Sequence, residues 1–482
     1  MAFFFKITGA LVAGGLLYFS HDHWLGLFFI LIAFTSIFAI LHSTTQGGLR
    51  FLYSLIFICA YIILTFSFLG HVTVEQSYVG LLLISIPCIV YIIPMTLLLI
   101  KCRYTIEIFI LAWLCTEVFW NNINIGNPFL LIGTPLSYCP FIIQWYQYTG
   151  PWGGSLWILA MCYILFYTVI KKKLHLSIFI GIVIIPITIS ACMFADATKN
   201  KGPEKVRKVG AISLEANDTK VASLLQANQL AECQYVVCPE AIAVVSQRSL
   251  LTHPVFTQIR RSLCNFLDSS TLFVGVFLYA NDGQAANSIV VYSKHKQPLL
   301  RHKQRPIPFG EYLPCSGILD KISSVRRLIP YDLHPIPNEA EAIHIDIDFL
   351  SPLICYESIF VKDVCRACES GAEIILVSAS NELVNSMHCE RQILNILCAN
   401  AITTNRYFVR ANQNGLSYII DNRGFLKQKC GISNAFIACS TIFLQEQTFY
   451  CKHNAIIIRF YLLLYIGGLM AYVIISLFNR NH

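Results

Sequence analysis

The sequence predicts a two-part protein: a polytopic bundle of about eight transmembrane helices joined to a water-soluble α/β domain. Three observations carry that expectation. Of the 482 residues, 56% are apolar and only 13% are charged, about half the charged share of an ordinary soluble chain. The charges are segregated, with 12 in residues 1–198, 48 in 199–454 and two in 455–482. Apolar runs of about twenty residues, long enough to cross roughly 30 Å of hydrocarbon, occupy the two charge-poor segments. This pattern excludes an ordinary cytosolic enzyme and a disordered chain, and it divides the sequence into 1–198, 199–454 and 455–482.

Seven runs precede the soluble segment, near 3–19, 24–42, 51–70, 78–100, 104–120, 152–170 and 174–194, and an eighth follows at 455–477. The first lacks a small-residue cleavage site and is followed at once by further spans, so it reads as a helix and not as a secretory signal. Lys and Arg prefer cytoplasmic loops. Arg50, Lys101, Arg103, Lys171, Lys172, Lys173 and Arg480 all fall on one side of the bundle, while the opposite loops, at 21–23, 70–77 and 121–151, have none. The N-terminus is therefore expected in the cytoplasm, and seven spans deliver 199–454 to the outer face. The aromatic-rich stretch 121–151 is expected at the bilayer surface.

The formal net charge of +8 raises the question of nucleic acid, but residues 199–454 hold 26 basic and 22 acidic groups, a balance of +4. With no basic stripe interleaved with aromatics, nucleic-acid binding is not expected. Of the 19 cysteines, seven fall in the membrane part and twelve in the soluble segment. Cys365 and Cys368 form a C-x-x-C, but no second pair stands at zinc-like spacing, so they read as structural thiols.

Within 199–454, short β-rich runs alternate with helical ones, the pattern of a layered α/β domain. Strands are expected at 206–214, 235–238, 272–278, 288–292, 344–347, 353–356, 374–378 and 407–411, and helices at 222–231, 255–267, 361–370 and 389–403. A hairpin is expected from 417–420 and 425–428 around Asp421-Asn422-Arg423-Gly424.

Three strand ends carry reactive groups: Cys238-Pro239-Glu240, the stiff loop Lys303 to Pro314, and Ile354-Cys355-Tyr356-Glu357. Strand ends are where α/β folds place chemistry. A thiol becomes a nucleophile at neutral pH when a base takes its proton or a cation stabilises the thiolate, and an ammonium can stabilise an acyl oxyanion. Taken singly, Cys355 would be a structural thiol, Glu240 a strand-end cap and Lys303 a surface charge. Their joint context points to covalent acyl chemistry.

Those three segments, with Pro308-Phe309-Gly310-Glu311-Tyr312-Leu313-Pro314 inside the second, resemble the Glu, Lys and Cys motifs of the nitrilase, or carbon-nitrogen hydrolase, superfamily. The lysine string is similar to that of its membrane-embedded branch, the apolipoprotein N-acyltransferases. Gln144 to Gly150, and Arg406 to Gly415 with its Arg410-Ala411-Asn412, also resemble segments of that branch. The resemblance implies an αββα nitrilase-like sandwich on the periplasmic face of the bacterial inner membrane. It implies Glu240 as general base, Lys303 as oxyanion-stabilising cation and Cys355 as nucleophile, with Glu311, Tyr356, Glu357 and Asn381 supporting the site. It further implies a phospholipid acyl donor, a diacylglyceryl-modified apolipoprotein acceptor, and neither metal nor cofactor.

The chain departs from that pattern after the strand at 374–378. Ser378-Ala379-Ser380-Asn381-Glu382-Leu383-Val384-Asn385-Ser386 keeps the Asn but lacks the aromatic lid, and the first strand lacks the usual Gln-x-Asn at its end. The missing lid leaves open a membrane-tethered amidase, or a transferase with another amine acceptor. A transporter is disfavoured, since Glu107 and Glu117 are nearly the only ionisable groups inside the spans.

Overall fold

The computed structural model describes residues 1–71, 74–100, 103–171, 176–199, 205–215, 221–262, 266–279, 285–294, 296–314, 333, 337, 341–382, 384, 386–431 and 435–478. Lys101, Lys172, Lys173 and Arg480, which entered the orientation argument, lie outside these residues, as do Ala216, Leu383 and Asn385.

Helices stand at each of the eight apolar runs: α1 (Ala2–Phe19), α2 (Gly26–His42), α3 (Gly47–Thr65), α4 (Val74–Met95), α5 (Thr105–Asn122), α6 (Pro151–Lys171) and α7 (Leu176–Lys199) before the sheet. Three more, α8 (Pro254–Ser262), α9 (Val361–Glu369) and α10 (Met387–Thr404), lie among the strands, and α11 (Phe449–Phe478), kinked at His453, closes the chain. Among the described residues, five helices are long and apolar enough to cross a membrane: α1, α3, α6, α7 and α11. The full count of eight is not reached on those grounds. The apolar stretches Gly26–His42 and Leu83–Leu99 are shorter, and α5 is diluted by Glu107, Glu117 and two asparagines.

The outer faces of these helices are apolar. Ile178, Ile184 and Ile185 on α7, and Ile456, Phe460 and Leu463 on α11, are all more than half exposed. In water such faces would be costly; in hydrocarbon they are at home. Inner faces pack closely through small residues, and a Cβ on Gly14 of α1 would stand 2.6 Å from the carbonyl oxygen of Phe57 on α3.

The strands are β1 (Lys205–Leu214), β2 (Tyr235–Val237), β3 (Val244–Ser246), β4 (Thr271–Tyr279), β5 (Ala285–Ser293), β6 (Leu299–His302), β7 (Ile343–Ile345), β8 (Asp348–Ile354), β9 (Ile374–Ser380), β10 (Tyr407–Gln413), β11 (Ser417–Ile420), β12 (Leu426–Cys430) and β13 (Ala435–Phe443). Their order is β6-β5-β4-β2-β1-β10-β9-β8-β7, parallel from β4 to β8. In the strand ladder the two halves join where Ser213 and Leu214 of β1 meet Asn412 and Gln413 of β10.

Side chains alternate across each strand, and the alternation sorts the apolar residues into three layers. Val209, Ala211, Val237 and Phe273 of one half pack with Ile354, Ile374, Leu376 and Val409 of the other. The intervening Ile212, Val236, Leu272 and Val274 face outward onto Phe256 and Ile259 of α8. On the far side Leu353, Ile375, Val377 and Phe408 meet Val364 of α9 and Ile396 and Leu397 of α10. The domain is the expected αββα sandwich.

Local differences from the sequence reading have local causes. The helix expected at 222–231 is two single turns, Val221–Leu224 and Asn228–Ala231. The strand expected at 353–356 ends at Ile354, because Cys355 takes a left-handed backbone with φ +48°. Strands β3, β6 and β13 were not anticipated. The hairpin is present as β11 and β12, its turn closed by Asp421 Oδ1 accepting from the Arg423 and Phe425 amides at 3.0 and 2.9 Å.

The segment 121–150 is a run of short 3₁₀ turns, with Phe129, Leu130, Leu131, Ile132 and Leu136 buried. It forms a platform beneath α10, where Ser137 Oγ donates to the Asn395 carbonyl at 2.9 Å. Among its large apolar residues only Phe141 and Tyr148 are more than half exposed, so most of the segment's apolar side chains pack inside the protein.

Candidate active site

Three strand ends converge at one end of the sandwich. Glu240 follows β2 and is held there by its backbone amide on the Ala379 carbonyl at 3.2 Å. This close approach depends on Gly275 of β4, where a Cβ would lie 2.6 Å from the Glu240 Cα. Lys303 follows β6, its amide on the Asn287 carbonyl at 2.8 Å. Cys355 follows β8 and opens a 3₁₀ turn, Cys355–Ile359, in which Ser358 Oγ donates back to the Cys355 carbonyl at 2.7 Å.

The carboxylates and the ammonium form one buried cluster. Lys303 Nζ donates to Glu311 Oε1 at 2.8 Å and to Glu240 Oε1 at 3.2 Å, with only 3% of its side chain exposed. Asn287 Nδ2 donates to Glu240 Oε1 at 2.5 Å and stands 3.3 Å from Glu311 Oε1. Glu240 Oε2 accepts the Ser380 amide at 2.9 Å, and the Ser380 carbonyl is 3.9 Å from Cys355 Sγ. The sulfur and the Glu240 carboxylate thus share one residue of β9. Glu311 is fixed independently, its Oε2 accepting the Ile307 amide at 2.7 Å.

Glu357 does different work. It is buried and takes three backbone donors: the Ile354 amide at 2.8 Å, the Arg305 amide at 3.1 Å, and the Gln304 amide. One carboxylate therefore clamps the Cys355 turn to the lysine loop without touching the ammonium. Tyr356 points towards the membrane part, its OH donating to the Gly126 carbonyl at 3.1 Å and its ring against Phe360 at 4.9 Å. Asn381 Oδ1 accepts from Arg410 Nη2 at 3.2 Å.

The electrostatics divide the site. Burial disfavours the Lys303 ammonium, but the charges of Glu240 and Glu311 outweigh it and hold the group well above its ordinary range. The Cys355 thiol is pushed up to about 12, first by burial and then by the Glu240 charge, with Lys303, Arg410 and the Ser380 backbone opposing. The resting sulfur is a thiol at neutral pH, so its activation needs a base. Burial raises the Glu357 carboxyl too, against Arg301 and its backbone donors.

Several members of this site were not named from the sequence. Asn287, Gly275 and Glu390 are all buried or interior, and Arg410, quoted from the sequence only within a motif, lies 3.8 Å from Glu390. Their signal was a polar or glycine residue at a position where strand or helix alternation calls for an apolar one. Among the described residues no cluster of His, Cys, Asp or Glu could hold a metal. Cys365 and Cys451 touch at 2.9 Å between α9 and α11 as buried thiols.

Residues 13–164 match the model of the apolipoprotein N-acyltransferase N-terminal domain. The chain is 22% identical over 350 residues to the apolipoprotein N-acyltransferase of Rickettsia prowazekii, covering 69% of this chain and 68% of that one. The curated relatives it is similar to carry the name apolipoprotein N-acyltransferase. Another, from Nostoc sp., is 28% identical over 194 residues, 39% of this chain and 36% of the relative. The apolipoprotein N-acyltransferase from Haemophilus influenzae is 24% identical over 345 residues, 66% of this chain and 64% of its own. These relatives are acyltransferase enzymes by name. Among solved structures, a carbon-nitrogen hydrolase from Helicobacter pylori superposes with a TM-score of 0.37 at 14% identity, covering 54% of this chain and 94% of that one. An amidase mutant from Nesterenkonia in complex with butyramide gives 0.36 at 13% identity, covering 51% and 93%.

Proposed function

We propose that this chain is an N-acyltransferase of the apolipoprotein type, moving an acyl chain from a phospholipid to the N-terminal α-amine of an S-diacylglyceryl-cysteine. Residues 1–198 and 455–482 would form its membrane part, and 199–454 its catalytic domain on the periplasmic face of a bacterial inner membrane. The observation that carries this reading is the convergence of Glu240, Lys303 and Cys355 at one sheet end, in a chain whose helices present apolar faces.

In the first half-reaction Glu240 takes the Cys355 proton as the sulfur attacks the ester carbonyl. Lys303 faces the oxyanion that develops, where a preorganised cation in a dry site acts most strongly. Collapse breaks the C–O bond, the lysophospholipid oxygen recovers the proton from Glu240, and a thioester remains on the sulfur. In the second half-reaction Glu240 takes a proton from the incoming ammonium-derived amine as its nitrogen attacks the thioester. An amide forms, and the sulfur leaves and is reprotonated. Both substrates stay in the membrane, since each acyl CH₂ kept in lipid is worth about 0.8 kcal/mol.

The test is incubation of detergent-solubilised protein with phospholipid, followed by mass analysis. An acyl mass on Cys355 that hydroxylamine releases is the expected result, and its transfer to a diacylglyceryl peptide is the second expected result. Hydrolysis of simple amides with no acyl transfer would favour the amidase reading, for which the absence of the aromatic lid speaks.

A further inference from the structure

The seam between α9 and the start of α11 holds an open cleft of about 310 Å³, lined by Lys362, Arg366, Glu369, Lys452, His453 and Asn454. Its charges are unequally committed. Arg366 lies 3.2 Å from Asp363 and 3.5 Å from Glu341, and Glu369 accepts from Asn454 Nδ2 at 3.1 Å. Lys362 and Lys452 have no ion pair among the described residues.

The cleft also sits where the chain changes solvent. Ile456, also in its lining, is 65% exposed, and the exposed apolar face of α11 continues through Phe460 and Leu463. Beside it Phe449 packs against His453 at 4.7 Å and Tyr148 at 5.9 Å, both Phe449 and Tyr148 being about half exposed. Aromatic rings of this kind mark the headgroup level of a bilayer. Two free ammonium groups just above an apolar face form a complementary partner for a phosphate whose acyl chains descend along that face.

We propose that this cleft binds the phosphate headgroup of an anionic phospholipid, with Lys362 and Lys452 as its counter-charges. The site lies outside the Glu240, Lys303 and Cys355 cluster, and it does not rest on the acyl-transfer reading, because occupancy is measured without turnover. Lys362 also lines a second crevice with Arg305, Asn121 and Asn400, so a lipid held here would stand beside the loop that carries Lys303.

The experiment is native mass spectrometry of the full chain in detergent with phosphatidylglycerol, with phosphatidylcholine of identical chains, and with inorganic phosphate. The wild type should retain phosphatidylglycerol in clear preference to phosphatidylcholine. Lys362→Gln with Lys452→Gln should weaken phosphatidylglycerol retention about 30-fold, while Lys362→Arg with Lys452→Arg should keep it. Unchanged thermal unfolding would show that the Gln pair is folded. Equal retention of the two lipids by the wild type, or undiminished phosphatidylglycerol in the Gln pair, would overturn the proposal. Competition by millimolar inorganic phosphate in the absence of any lipid preference would assign the cleft to a free anion and overturn it equally.

Discussion

Among the buried glutamates of this protein, Glu117 and Glu240 have surroundings that differ in kind. Glu117, on α5, accepts from Ser155 Oγ and from the Ile132 amide, each at 2.8 Å, and pairs with no cation among the described residues. It ties α5 and α6 to the 121–150 platform using neutral donors. Glu240 also uses backbone and amide donors, but it adds Lys303 at 3.2 Å and stands one residue away from a sulfur. A buried carboxylate with neutral donors is a structural pin. One that shares a dry pocket with an ammonium and a thiol can exchange protons in a reaction.

The contrast can be broken by substitution, and the largest effect belongs to the thiol. Cys355→Ala should leave no acyl adduct detectable by mass and reduce transfer to background, while membrane extraction and unfolding temperature stay near those of the wild type. Glu240→Gln keeps the size of the side chain but removes the base and one of the two acceptors that meet Asn287 and the Ser380 amide, so turnover should fall by about 10²- to 10⁴-fold; an unchanged rate would remove Glu240 from the chemistry. Alkylation tests the electrostatics directly. Because the folded thiol keeps its proton from the ordinary 9.0 up to about 12, iodoacetamide labelling of Cys355 should still climb with pH above 9, where an exposed cysteine levels off. A plateau near pH 9 would contradict that picture.

Glu117→Gln sharpens the comparison from the other side. It should lower stability by about 1–3 kcal/mol, as expected when a buried hydrogen-bond network is disturbed, read as a reduced unfolding temperature, with turnover per folded molecule unchanged. The smallest effect is expected for Tyr356→Phe, which loses one bond to the Gly126 carbonyl and should cost about 0.5–1.5 kcal/mol. A turnover loss as large as that of Glu240→Gln would mean that Tyr356 acts in the reaction and not only in docking.

Much of this architecture was legible because solvent leaves a strong imprint on composition. The segregation of charge located the helices, and short runs rich in β-branched and aromatic residues located β1, β4, β9 and β10. The edges were harder to read. β6 and β3 are four and three residues long, too short to establish an alternation. β13 pairs along nine residues of β1, but its Cys439, Ser440 and Thr441 blur the pattern. Glu240, Lys303 and Cys355 were legible because each follows a strand in a distinctive string. Asn287 and Gly275 were not, since each matters only through what the fold brings against it. The role of Glu357 was also hidden, because its partners are backbone amides and no sequence pattern records them.

That last carboxylate has a wider consequence. By gripping the amides of Ile354, Gln304 and Arg305 together, it makes the sulfur-bearing turn and the ammonium-bearing loop a single rigid jaw. A fluctuating bilayer can tilt or lift that jaw through Tyr356 and the platform below. On the acyl-transfer reading proposed above, such motion would leave the two teeth in register, because one carboxylate holds both.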